Sequence, residues 1–73
     1  MQYMVVIEKG ETSYGAFVPD LPGCVAAGET EEETMDLIQE AIQFHLEGLQ
    51  EDGFLVPVPA SKSTLVSVAF NAQ

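Results

Sequence analysis

Tyr14-Gly-Ala-Phe-Val-Pro-Asp-Leu-Pro-Gly-Cys-Val-Ala-Ala-Gly-Glu-Thr30 is the stretch that decides how this chain folds. Residues 14–18 are β-rich. Pro19 and Pro22 fix their own φ and bias Val18 and Leu21 away from the helical region. Gly23 supplies the backbone freedom of a tight turn, and Asp20 is a residue type that hydrogen-bonds its own backbone in such turns. Residues 24–27 resume as a short strand, and Gly28 loosens the chain ahead of Thr30. Thr30 stands three residues before Glu33, the spacing of a capping box at a helix start. The stretch therefore reads as strand, rigid turn, strand and helix entry.

The flanks fit that frame. Residues 2–8 alternate, with Tyr3, Val5 and Ile7 on one face and Met4, Val6 and Glu8 on the other, which predicts a first strand. Residues 9–13, with Gly10, form a hairpin loop. From Thr30 to about Asp52 the chain predicts one long helix, with Glu31, Glu32 and Glu33 at the positive end of its dipole. Met35, Ile38, Ile42, His45, Leu46 and Leu49 fall on one stripe, and Asp36, Gln39, Glu40, Gln43, Glu47 and Gln50 fall opposite. Gly53 is a left-handed helix stop, with Phe54 folding back towards Leu49 as in a Schellman motif. Pro57 and Pro59 exclude helix and interior strand from residues 54–60. Residues 64–70 alternate again, with Val66, Val68 and Phe70 on one face, which predicts a fourth strand beside the first. The order β-β-β-α-β, with one long helix on an antiparallel sheet, makes an α+β two-layer sandwich.

Seventy-three residues make a single domain, 1–73, and a small one. A chain of this size buries only about 60% of the surface its unfolded form exposes. Cys24 is the only cysteine, so no internal disulfide reinforces the core. Its expected role is that of a small buried hydrophobe. Self-association, by default as a homodimer, is the expected extra source of stability. The N-terminus lacks the pattern of a signal peptide and no run suffices for a membrane span, so a cytoplasmic location is expected. Twelve acidic residues face two lysines, for a net charge of −10. That charge repels phosphate, which argues against direct nucleic-acid binding and suits a basic protein partner.

No catalytic constellation is legible. Glu8, Asp20 and a helix carboxylate are the residue types that hold Mg²⁺, yet turn geometry already accounts for Asp20 and the helix acids face solvent. His45 lies at the margin of the apolar stripe with no orienting neighbour, and the serines lack a nucleophile-elbow context. The glycines are scattered turn and cap residues, not a phosphate loop. No cofactor or metal is expected, and no enzymatic activity.

The Tyr-x-x-x-Val-Pro-Asp-Leu-Pro-Gly-Cys run leading into Gly-Glu-Thr-x-Glu-Glu resembles the HicB-like antitoxin family. The resemblance extends over the first strand, the helix with Glu40-Ala41-Ile42, and the exit from Gly53 to Pro59. It implies a degenerate ribonuclease H-like fold without the catalytic acids. It also implies a partner, HicA, a small basic mRNA-cleaving ribonuclease toxin with a double-stranded-RNA-binding-like fold and a catalytic histidine. Many members continue into a C-terminal DNA-binding domain, whereas this sequence stops at Gln73 without a basic helix. The expected function is thus that of an antitoxin that neutralises a HicA-type toxin in a type II pair. The alternative is an orphan homo-oligomeric module with structural or regulatory duties.

Asp20, Asp36, Glu40 and Glu47 are the candidate partner-binding acids, able to stand where a ribonuclease expects phosphates. Each has a plainer reading: a turn residue for Asp20 and a solvated helix face for the others. Leu37, Ala41 and Phe44 lie on a flank outside the core stripe. This flank either packs under the C-terminal segment or forms an oligomer or partner contact.

Overall fold

Residues 18–24 close as two successive β-turns that share Leu21. In the first, the Leu21 N–H donates to the Val18 carbonyl (3.0 Å), with Pro19 in the second position. In the second, the Cys24 N–H donates to the Leu21 carbonyl (3.0 Å), with Pro22 second and Gly23 third at φ 84°. That positive φ is the requirement of a type II turn. The Val18 N–H donates to the Cys24 carbonyl (3.3 Å) and closes the loop. The double turn leaves the Leu21 side chain with no exposed surface.

The computed structural model describes residues 1–71, in the order β1 (Val6–Lys9), β2 (Tyr14–Phe17), β3 (Val25–Gly28) and α1 (Glu31–Glu51). The three strands form an antiparallel meander, β1-β2-β3. Its register sets Ile7 opposite Ala16 and Ala16 opposite Ala26. These residues face the helix, which packs across β3 and β2. Ala16, Val18, Leu21, Cys24 and Ile38 make the buried core, with Tyr3, Val5, Ile7, Ile42 and Leu46 packed around it. The alternate row, Val6, Phe17 and Val25, points to the open side of the sheet.

The helix ends are built as the sequence predicts. Thr30 is extended (φ −128°, ψ 160°), and its Oγ1 accepts the Glu33 N–H at 3.0 Å. The Glu33 carboxylate reaches past the Thr30 N–H of an ideal capping box to the N–H of Glu29, at 3.4 Å. Thr34 is fully buried, and its hydroxyl donates to the Thr30 carbonyl at 2.8 Å. At the other end Gly53 has φ 75°. The Phe54 N–H donates to Leu49 O (2.9 Å) and the Gly53 N–H to Gln50 O (3.1 Å), the paired bonds of a Schellman motif.

Two expectations need correction. The first ladder strand begins at Val6, not Gln2. The fourth strand is not formed: among the described residues the sheet has three strands, and residues 64–70 run outside it. No short turn sets their register against β1, and Pro57 and Pro59 offer no N–H to start a ladder. What holds the approach to this segment is side-chain chemistry. Tyr3 Oη donates to the Pro57 carbonyl. The Asp20 carboxylate accepts from the Ala60 N–H (2.9 Å), the Ser61 N–H (2.9 Å) and the Ser61 hydroxyl (2.7 Å). The radius of gyration is 15.0 Å. A compact chain of this length measures about 11 Å. Residues 64–70 thus form an extended arm.

Gly28 is where the sheet meets the helix most closely. A Cβ there would lie 2.7 Å from Thr34 Oγ1 and 3.1 Å from Thr34 N. Gly28→Ala should therefore destabilise the fold by about 1–3 kcal/mol, and Thr34→Ala in the same chain should restore part of the loss. Urea unfolding followed by helix circular dichroism measures both. The Asp20 tether makes a second prediction. The Ser61 and Ala60 N–H bonds, then the Ser61 hydroxyl, hold the Asp20 pKa below its ordinary 3.8 against a smaller opposing effect of desolvation. A lowered folded pKa stabilises the tethered state fully above pH 3.8, and this contribution is lost as pH falls through the folded value. The amide resonances of Ala60 and Ser61 should shift together below pH 3.8, and Asp20→Asn should abolish that titration while the helix persists.

Candidate partner interface

One side of α1 is spent on the sheet, so its character elsewhere follows from the remaining positions. At 100° per residue, Asp36, Glu40 and Glu47 project almost directly away from the buried Ile38. All three are exposed. Asp36 and Glu40 frame a shallow polar cleft with Gln39 and Gln43. The Gln43 amide donates to Glu47 Oε2 at 3.4 Å, which extends the same stripe by a further turn. The helix carries no basic residue in its last turn. These carboxylates therefore present an anionic ridge along one side of the molecule, and the fold brings three of the four predicted acids together.

Asp20 stands apart. It lies in the double turn beneath the sheet end, and its carboxylate accepts three hydrogen bonds from the C-terminal segment. Those partners lie 40 and 41 residues further along the chain. Local turn chemistry in the sequence carries no sign of them. The same bonds remove Asp20 from any carboxylate cluster with Glu8. Among the described residues no group of three His, Cys, Asp or Glu side chains is placed to hold a metal ion.

The second feature is apolar. Leu37, Ala41 and Phe44 fall on the β3 side of the helix, and the C-terminal segment does not cover them. Phe44 is 79% exposed. Beside it runs an open groove of ≈ 410 Å³ between the helix and the start of β3, with Cys24, Val25, Ala41, His45 and Phe54 among its walls. The groove explains why His45 is half-buried without joining a polar network: it is a wall residue. Cys24 is buried at the groove floor. Burial pushes its thiol pKa above the ordinary value, which keeps the sulfur protonated. Phe54 reaches the groove because the Schellman turn directs the chain back over Leu49, a consequence legible at Gly53. Leu21, fully buried, is legible in the sequence only as a turn residue.

An anionic ridge next to an apolar groove suits a macromolecular partner better than a small molecule. No helix among the described residues is long and apolar enough to cross a membrane.

The family model for the HicB-like antitoxin of bacterial toxin-antitoxin systems matches residues 3–71. A protein from the rep-hol intergenic region of Haemophilus phage HP1 is 47% identical over 57 residues, covering 78% of this chain. The chain spans only 43% of that relative's length. Among solved structures, the N-terminal domain of Burkholderia pseudomallei antitoxin HicB superposes with a TM-score of 0.71 at 36% identity, over 80% of this chain and 69% of that one. A chain of a HicA3 and HicB3 toxin-antitoxin complex superposes with a TM-score of 0.66 at 31% identity, over 81% and 72%. Three antiparallel strands followed by one long helix are thus a fold shared with the HicB N-terminal domain. The chain belongs to the HicB-like antitoxin family.

Proposed function

We propose that this chain is the toxin-binding module of a type II toxin-antitoxin pair. It neutralises a small basic HicA-type mRNA-cleaving ribonuclease by protein-protein contact and performs no catalysis itself. The observation that carries this reading is the likeness to a chain of the HicA3 and HicB3 complex, at 31% identity across 81% of the sequence. The net charge of −10 supports it, because a ribonuclease surface that grips phosphates is cationic. Asp36, Glu40 and Glu47 offer carboxylates at helical spacing where such a surface would hold a phosphate backbone. The flank of Leu37, Ala41 and Phe44 supplies the apolar anchor beside them, in the arrangement of buried centre and polar rim that protein interfaces use. The chain acts in the cytoplasm, with no nucleic acid in direct contact. The alternative, an orphan homo-oligomeric module, draws its support from the exposed apolar side chains of the arm.

The direct test is co-expression with a neighbouring reading frame encoding a small basic protein. Co-purification, together with rescue of growth when that neighbour is induced, is the expected result. A neighbour that is toxic but neither binds nor is rescued would sink the antitoxin reading.

Two variants locate the contact. Reversal of Asp36, Glu40 and Glu47 to Lys should slow association by about 10–100-fold at low salt and flatten its salt dependence, with the fold intact. Unchanged rates and salt slope would leave the ridge as solvated surface. Phe44→Glu should alter stability by no more than about 0.5 kcal/mol, because the ring is already in water. It should weaken toxin binding by about 2 kcal/mol or more if the flank is the anchor. A change in the mass of the free protein instead would reassign the flank to a subunit contact.

A further inference from the structure

We propose that residues 64–70 are a fourth strand supplied in trans: the arm of one copy pairs with the outer edge of β1 in a second copy, and the two copies exchange arms about a two-fold axis. The inference is independent of whether a toxin is bound.

Four observations carry it. The arm has strand chemistry without a strand partner: Val66, Val68 and Phe70 alternate along it and are 75%, 77% and 81% exposed. It contains no charge and no proline, although the chain as a whole carries −10. Such a segment is free of the devices that normally keep an edge from pairing. The outer edge of β1 is its complement, because among the described residues β1 bonds only to β2 and its other side has no strand beside it.

The layer above β1 is also incomplete. The helix lies across β3 and β2, so Val5 and Ile7 are only half-buried on their helix-facing side, and Met35 on that flank of α1 is exposed. A strand beside β1 would place Val66, Val68 and Phe70 under that overhang and complete a four-stranded sheet. Finally, the arm leaves from a fixed point. The Asp20 and Tyr3 bonds tether residues 57–61, and Ser61, Lys62 and Ser63 lie against Gln2, Tyr3 and Met4 at the entrance to β1. From there the arm extends away from its own sheet, giving a molecule 52 Å long and 17 Å thick. Seven extended residues reach about 23 Å, enough to pair along the whole of a four-residue strand.

A second copy is the occupant that fits, because donor arm and acceptor edge start at the same place on one chain. A two-fold axis beside that place carries each arm directly onto the other's β1 and closes the assembly. Each copy gives one strand and receives one, so the outer row of β1 is paired in both.

The test is analytical ultracentrifugation with hydrogen exchange across a micromolar dilution series. A species of twice the 7.9 kDa chain mass is expected, with amides of residues 64–70 protected only where the dimer is populated. Val66→Asp with Val68→Asp should halve the mass and abolish that protection while helix circular dichroism is unchanged, since both side chains lie in solvent in the single chain. An isotope-filtered spectrum of mixed labelled and unlabelled protein should show contacts between Val68 and Ile7 across copies. A monomer at every concentration overturns the proposal. So does a dimer that survives the double substitution, or arm protection that is independent of concentration, which would mean pairing within one chain. Protection that arises only with a basic toxin present would equally overturn it and transfer the arm to that partner.

Discussion

The burial of Leu21 is the constraint on which the other parts depend. A leucine fully removed from water contributes about 1.5–3 kcal/mol, and small domains are stable by only about 5–15 kcal/mol in total. Here the fully or nearly fully buried apolar side chains are few, so each carries a large share. Placing a loop residue in the interior would ordinarily strand its backbone polar groups. The double turn solves this: the Leu21 N–H is bonded to Val18 O and its carbonyl to the Cys24 N–H. Each turn has proline in its second position, and the second needs Gly23 at positive φ. The Pro-Asp-Leu-Pro-Gly sequence is therefore the covalent description of a buried leucine presented by two turns.

From that fixed point the helix position follows. β3 emerges from the second turn and ends at Gly28, whose missing side chain admits the Thr34 hydroxyl and backbone. Thr34 and Ile38, one turn apart, then face the sheet. The helix gains little from its own electrostatics beyond the first turn. Glu31, Glu32 and Glu33 suit the positive end of the dipole, but Glu47, Glu51 and Asp52 crowd the negative end with no basic residue to offset them. Packing holds this helix, and its outward carboxylates repel one another. A cationic partner would relieve that repulsion while it binds, so the feature that costs stability in the free chain would favour such a complex.

What the sequence discloses and what it hides divide along the range of the forces involved. The helix, its Thr30 cap and its Schellman exit are local patterns, set within a turn or two, and the structure has them where the pattern places them. The anionic ridge is equally legible, since 3.6-residue periodicity alone puts Asp36, Glu40 and Glu47 on one line. Three features depend on distant residues. Leu21 carries the signature of a turn, and only its place in a cluster with Ala16, Val18, Cys24 and Ile38 makes it core. Asp20 carries the signature of a self-bonding turn residue, whereas its partners, Ala60 and Ser61, arrive from the far end of the chain. Residues 64–70 alternate as a strand does, but alternation reports a preference for pairing and says nothing of which edge, or whose, provides the partner.

The surfaces left over by this fold do not compete. The anionic ridge lies on the side of α1 remote from the sheet, and the flank of Leu37, Ala41 and Phe44 lies towards β3. The β1 edge and the arm lie at the opposite margin, beyond β2. An arm exchanged at β1 would thus leave both ridge and groove open on each copy and would set two of them in a fixed relation. Two proposed partner-binding faces held rigidly on one particle would raise the effective concentration of the second binding event without any new contact. A chain too small to build a large core would in this way draw stability and avidity from the same seven residues.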